Sequence, residues 1–182
     1  MTPLAETPYV AIDVETTGLD PAGGHRICEI ALLRFHRGTV IDSRVSLVNP
    51  LRPISPAASA VNGITDLMVA GAPTFPALFP GILAFLGDDP LVFHNAPFDL
   101  AFLRHEARLA GGEWPRNRVL DTLVLARRSR RFRSHTLSAI CGELGIGSTF
   151  HRAAGDAWAA GKLLLVLSSL EAPAPGAARH SG

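Results

Sequence analysis

The sequence predicts an α/β domain of three layers, with helices on both faces of a mixed, mostly five-stranded central sheet. Two observations carry that prediction. Strand-like segments come first as a closely linked pair and then alternate with helical segments, the order that builds a mixed sheet. The first segment, Pro8 to Glu15, is apolar on both faces in its first half, as a strand in the middle of a sheet must be. At 182 residues the chain fits one domain with a sizeable core.

The elements follow in order. Ile27 to Phe35 and Thr39 to Val48 read as two strands, and the short turn His36-Arg37-Gly38 between them requires antiparallel pairing. A proline-rich loop, Asn49 to Pro56, leads to short helices at Pro56 to Val61 and Asp66 to Val69, separated by Asn62-Gly63. Thr74 is read as the N-cap of a helix reaching Leu86. Leu91 to His94 is a short buried strand, and Asn95 is read as the cap of a helix with Pro97 in its first turn, running to Ala110. Arg118 to Leu120 is a last short strand. Helices are expected from Asp121 to Arg128, from a Ser134 cap to Gly145, and from Ala153 to Leu170. Residues 1–7 are expected to be a flexible lead-in, 8–170 the folded domain, and 171–182, small and proline-rich, a disordered tail.

Composition narrows the function classes. The chain is 47% apolar and 18% charged, ordinary for a soluble globular protein. Cys28 and Cys141 are isolated, which argues against a zinc knuckle or a disulfide framework and suits a reducing compartment. No apolar run opens the chain, and the longest aliphatic stretch, Leu163 to Leu167, is too short to span a bilayer, so the expectation is a cytoplasmic protein without a membrane partner. A net charge of +1 does not by itself announce a nucleic-acid binder. Arg127, Arg128, Arg130, Arg131 and Arg133 form one basic cluster, readable either as solvated charge at a helix end or as a phosphate-contacting strip.

The chemistry lies in the acids. The first strand ends Asp13-Val14-Glu15-Thr16-Thr17-Gly18, and residues two apart in a strand share a face. Asp13 and Glu15 therefore point together and repel unless a cation lies between them, and oxygen ligands alone select hard ions such as Mg²⁺ or Mn²⁺. An Asp-x-Glu pair by itself more often marks a solvated edge strand, but the Tyr9 to Ile12 run makes an exposed edge a poor fit. Asp99 follows a buried strand in His94-Asn95-Ala96-Pro97-Phe98-Asp99; taken singly, it is an acid complementing a helix dipole. Asp156 closes His151-Arg152-Ala153-Ala154-Gly155-Asp156 near the start of the last helix; taken singly, it is a surface acid.

Together the three stretches resemble the motifs of the DEDD exonuclease superfamily, in its catalytic-histidine subclass, in order and in separation. Asn49-Pro50, Val61 to Asp66 (VNGITD) and Asp121-Thr122-Leu123 extend the likeness, nearest the proofreading epsilon subunits of bacterial DNA polymerase III, over Pro8 to Leu170. The resemblance implies a ribonuclease H-like fold, an exonuclease domain spanning 8–170, and 3′→5′ exonuclease activity releasing nucleoside monophosphates. It implies that Asp13, Glu15, Asp99 and Asp156 hold two divalent ions, Mg²⁺ or Mn²⁺, and that His151 is the general base. Five residues of helix turn about 500°, which sets His151 and Asp156 roughly 140° apart, so His151 is expected on a mobile loop preceding the helix. A tyrosine four residues before the last aspartate would mark the other subclass; that position is Arg152.

The same resemblance gives Thr16, Thr17, Val61, Asn62 and Phe98 the role of substrate contacts, Phe98 stacking on terminal bases. Plain helix core is the competing reading of Phe98. The sequence departs from the epsilon pattern at Asn62, commonly histidine, and at Ala57, commonly an acid, which affects contacts to the 3′ terminus rather than catalysis. The expected partner is a nucleic acid with a free 3′ end, single-stranded DNA first. The alternatives are an RNA-trimming enzyme similar to ribonuclease T and a catalytically inactive binding module. A DNA polymerase subunit is a further possible partner, although the few residues after the last helix favour an enzyme acting alone.

Overall fold

The computed structural model describes residues 6–129 and 131–171. Most of the expected lead-in, the tail beyond 171 and Arg130 lie outside the described residues. Among these residues five strands, β1 (Tyr9–Thr16), β2 (Ile27–His36), β3 (Thr39–Leu47), β4 (Leu91–Phe93) and β5 (Val119–Asp121), form one sheet in the order β3-β2-β1-β4-β5. β1 is central. It pairs antiparallel with β2 and parallel with β4, so the sheet is mixed as expected. The β2–β3 turn places Arg37 at φ 50 and Gly38 at φ 77, the two positive angles that a twisted two-residue hairpin requires.

Among the described residues, seven α-helices surround the sheet: α1 (Pro56–Asn62), α2 (Asp66–Val69), α3 (Phe75–Leu86), α4 (Ala96–Leu109), α5 (Thr122–Ser129), α6 (Leu137–Leu144) and α7 (Ala153–Glu171). Alternation along β1 decides which layer each residue meets. Val10, Ile12 and Val14 pack against Phe75, Phe79, Phe102 and Leu103 of α3 and α4. Tyr9 and Ala11 face the other way, onto Ala153, Ala157 and Leu164 of α7. The Tyr9 and Phe35 rings stack at 5.2 Å, and Tyr9 Oη donates to Gly161 O at 2.9 Å. A Cβ on Gly161 would lie 2.3 Å from the Phe35 ring, so glycine is what lets α7 approach the sheet this closely.

Two capping expectations hold in position but not in side-chain bonding, and a third is corrected. Thr74 and Asn95 occupy N-cap positions but make no capping bond through their side chains, and Asn95 is left-handed at φ 79. The cap of α6 is Thr136 rather than Ser134, its hydroxyl accepting from Ala139 N at 3.4 Å. For α4 the anion comes from elsewhere in the chain. Asp121 accepts from Asn95 N at 3.2 Å and Ala96 N at 3.0 Å, and also from Leu123 N at 2.9 Å at the start of α5. One carboxylate thus satisfies the first amides of two helices; the cap on α5 is local, but no local pattern reveals the contacts to α4. Asp121→Ala is expected to cost about 1–2 kcal/mol, seen as a lower urea midpoint with an unchanged slope.

Candidate active site

The alternation that sends Tyr9 and Ala11 toward α7 also sends Asp13 and Glu15 there, at the strand's C-terminal end. Asp156, in the first turn of α7, meets them. Carboxylate oxygens of Asp13, Glu15 and Asp156 all lie within 4.8 Å of one another. Asp99 arrives from the opposite layer, in the first turn of α4, and is buried. Its Oδ1 accepts from Val14 N at 3.3 Å, between the two acids of β1.

This packing is electrostatically unfavourable without a cation. Burial pushes the Asp13 carboxyl well above the usual range, and the charges of Asp99, Asp156, Glu15 and Glu29 push it further. Burial first, then Asp156 and Glu29, raise Glu15 to about 7, while the Asn62 amide and Arg152 oppose. Asp99 rises to about 8 through burial, against hydrogen bonds from its own amide and that of Val14. Asp156 is raised by burial and held back by the backbone amide and ring of His151. A donor set of carboxylate oxygens that is short of positive charge and partly open to solvent suits a hard divalent cation.

His151 lies two residues before α7, outside the helix, at φ 66. Its backbone amide donates to Asp156 Oδ2 at 2.9 Å. Asp13, His94, Leu137, Phe150, His151 and Asp156 line a cavity of about 220 Å³. Glu15 borders a second groove, of about 360 Å³, lined also by Thr16, Leu19, Val61, Asn62 and Phe98. Val61 is exposed there and Phe98 partly so, its ring centroid 5.2 Å from that of Phe102. Asn62 is buried, its Nδ2 donating to Thr16 O at 3.4 Å and its Oδ1 accepting from Ile64 N at 3.0 Å.

The structure therefore brings together Asp13, Glu15 and Asp156, with His151 on the cavity that Asp13 and Asp156 border and Asp99 outside that trio but near enough for its charge to act on Asp13, and sets Thr16, Val61, Asn62 and Phe98 along an adjoining groove. Thr17 differs. Its side chain is fully buried, its hydroxyl accepting from Arg26 N at 3.1 Å and meeting His25 Nδ1 at 3.1 Å, so that hydroxyl anchors the loop. Sequence reasoning missed Glu29, His94 and Asp121 as parts of the site's frame. A lone acid in the apolar run Ile27–Phe35 was the available signal for Glu29; those for His94 and Asp121 are long-range contacts. Arg127, Arg128, Arg131 and Arg133 are all exposed.

Known proteins share this sequence and this fold. The family described as "Exonuclease" matches residues 10–164. A DNA polymerase III subunit epsilon-like protein of Rhodobacter capsulatus is 42% identical over 172 residues, covering 91% of this chain and 24% of that protein. A DNA polymerase III PolC-type protein of Bacillus cereus is 40% identical, covering 89% of this chain and 11% of its own length. The chain thus spans a quarter or less of these relatives. Exonuclease X, solved with 5′-overhanging duplex DNA, superposes with a TM-score of 0.71 at 29% identity, covering 88% of this chain and 90% of that one. Exonuclease I of E. coli, in its zinc-bound complex with single-stranded DNA, reaches a TM-score of 0.82 at 20% identity over 91% of this chain and 41% of its own, a likeness of fold. No helix among the described residues is long and apolar enough to cross a membrane. On its match across most of its length, the chain belongs to the exonuclease family.

Proposed function

We propose that the chain is a metal-dependent 3′→5′ exonuclease of the catalytic-histidine subclass, removing nucleoside monophosphates from single-stranded DNA in proofreading or repair. The observation that carries this reading is the convergence of Asp13, Glu15 and Asp156 within 4.8 Å, with Asp99 and His151 against them. DNA is favoured because the relatives are named as polymerase III proteins and exonuclease X was solved with DNA.

Asp13, Glu15, Asp99 and Asp156 would hold two Mg²⁺ or Mn²⁺ ions, which when bound polarise the attacking water and offset charge on the scissile phosphate. The fit rests on the unbalanced, all-oxygen donor set described above. His151 takes the water's proton on its imidazole, for which its place over Asp13 and Asp156 suits it. Phe98 and Val61 grip the terminal base in the groove, stacking that tolerates any base. Asn62, whose amide lies beside Glu15, holds that carboxylate and the Thr16 carbonyl in place.

Three outcomes follow. On 5′-labelled single-stranded DNA and RNA with Mg²⁺, the enzyme shortens DNA stepwise from the 3′ end and DNA faster than RNA; faster loss of RNA would reassign the substrate, and no shortening of either would refute the activity. His151→Ala lowers kcat by about 10²- to 10⁴-fold while keeping the Mg²⁺-induced rise in Tm, whereas Asp13→Ala loses both. The third concerns pH. Glu15 and Asp99 have folded values of about 7 and about 8, raised above ordinary values of 4.5 and 3.8, so folding favours their protonated forms. Metal-free stability is therefore highest at acid pH and falls as pH rises toward 8. Mg²⁺ raises Tm more at pH 8 than at pH 5; a shift independent of pH would count against an ionised carboxylate site.

A further inference from the structure

His151 holds a backbone conformation, φ 66, that is unfavourable for any residue carrying a Cβ. Such a conformation persists where the surroundings over-determine it. Contacts on both sides do so here. Before it, the segment folds back on α7: Ser148 Oγ donates to Gly155 O at 2.7 Å, and a Cβ on Gly155 would lie 1.8 Å from the Thr149 carbonyl oxygen. After it, Arg152 Nε lies 3.2 and 3.1 Å from the two carboxylate oxygens of Glu29, with Nη2 also bonded to Oε1. The next amide, Ala153 N, donates to Glu29 Oε2 at 2.9 Å.

Glu29 is a fifth acid beside the cluster, buried in β2 and paired in register with Glu15. Both of its oxygens are occupied by Arg152 and Ala153 N, which distinguishes it from the four acids whose charge is unbalanced. A buried carboxylate persists when paired and hydrogen-bonded, and the bidentate guanidinium supplies both. Arg152 adjoins His151 and is about half exposed, whereas Glu29 is fixed in the sheet.

We propose that Glu29 and Arg152 are positioning residues, pinning residues 151–153 to β2 and thereby setting the reach of His151 over Asp13 and Asp156. This rests on the exonuclease reading. Arg152 acts through His151 and does not touch the substrate.

The test is a mutant cycle on 5′-labelled single-stranded DNA at saturating Mg²⁺, with kcat, KM and Tm measured for the wild type, Arg152→Ala, His151→Ala and the double variant. Arg152→Ala is expected to lower kcat by about tenfold or more, with KM within about threefold. In the His151→Ala background the same change alters kcat by less than about twofold, because the group it positions is gone. Losses that multiply in the double variant overturn the proposal, as does a raised KM with unchanged kcat, which would make Arg152 a phosphate contact. Should Arg152→Ala not fold, Arg152→Lys, which keeps the charge without the fork, and Glu29→Gln carry the same cycle; wild-type kcat in both overturns it. An inactive wild type refutes the exonuclease reading itself, an outcome distinct from an active wild type with unaffected variants.

Discussion

Like charges held out of water at the end of β1 set the terms for the rest of the structure. Asp13, Glu15, Asp99 and Asp156 come from a strand and two helices in different layers, and each is pushed toward its protonated form mainly by burial. Hydrophobic burial elsewhere must offset that cost. The core on both faces of β1 does so, with Tyr9, Ile12, Phe35, Phe75, Phe93 and Phe102 all buried to within 2%. The apolar first half of the central strand and its acidic second half are two parts of one arrangement: packing drives the strand inward and so carries the charges where a divalent cation is the natural complement.

The frame around the acids is made of further charges, each of them satisfied. Asp121 terminates two helices at once and so fixes the turn that carries Asp99. Glu29 is held by Arg152 and by the first amide of α7, at the other end of the site. Glu106, fully buried, accepts from Arg26 at 2.7 Å through each oxygen and from Ile27 N at 3.2 Å, tying α4 to β2. The contrast between paired acids in the frame and unbalanced acids in the centre distinguishes the carboxylates of the frame from those of the proposed site. Burial alone does not, since Glu29 and Asp99 are both nearly inaccessible.

Much of this was legible in the sequence because it depends on local periodicity. The run Tyr9 to Ile12 identified the central strand, and the two-residue spacing of Asp13 and Glu15 placed both acids on one face. The angular separation of His151 from Asp156 put the histidine before the last helix, and α7 does begin at Ala153. What escaped depends on contacts across the fold. No local pattern shows that Asp121, not the Asn95 side chain, accepts from the first amides of α4, or that the Thr17 hydroxyl is consumed by His25 and Arg26. Ser134 and Thr136 are both acceptable caps, and only the path of the chain chooses between them. Glu29 is the one acid in the apolar run Ile27–Phe35, but its partner lies 123 residues away, beyond the reach of any local pattern.

In the proposed site, four acids from three separated segments of the chain together hold divalent cations. The most direct measurement is anomalous scattering from crystals grown with Mn²⁺ and a nucleoside monophosphate. Two manganese peaks are expected in contact with Asp13, Glu15, Asp99 and Asp156, with His151 beside them. Peaks absent from that cluster, or one of the four carboxylates turned away from any ion, would contradict it.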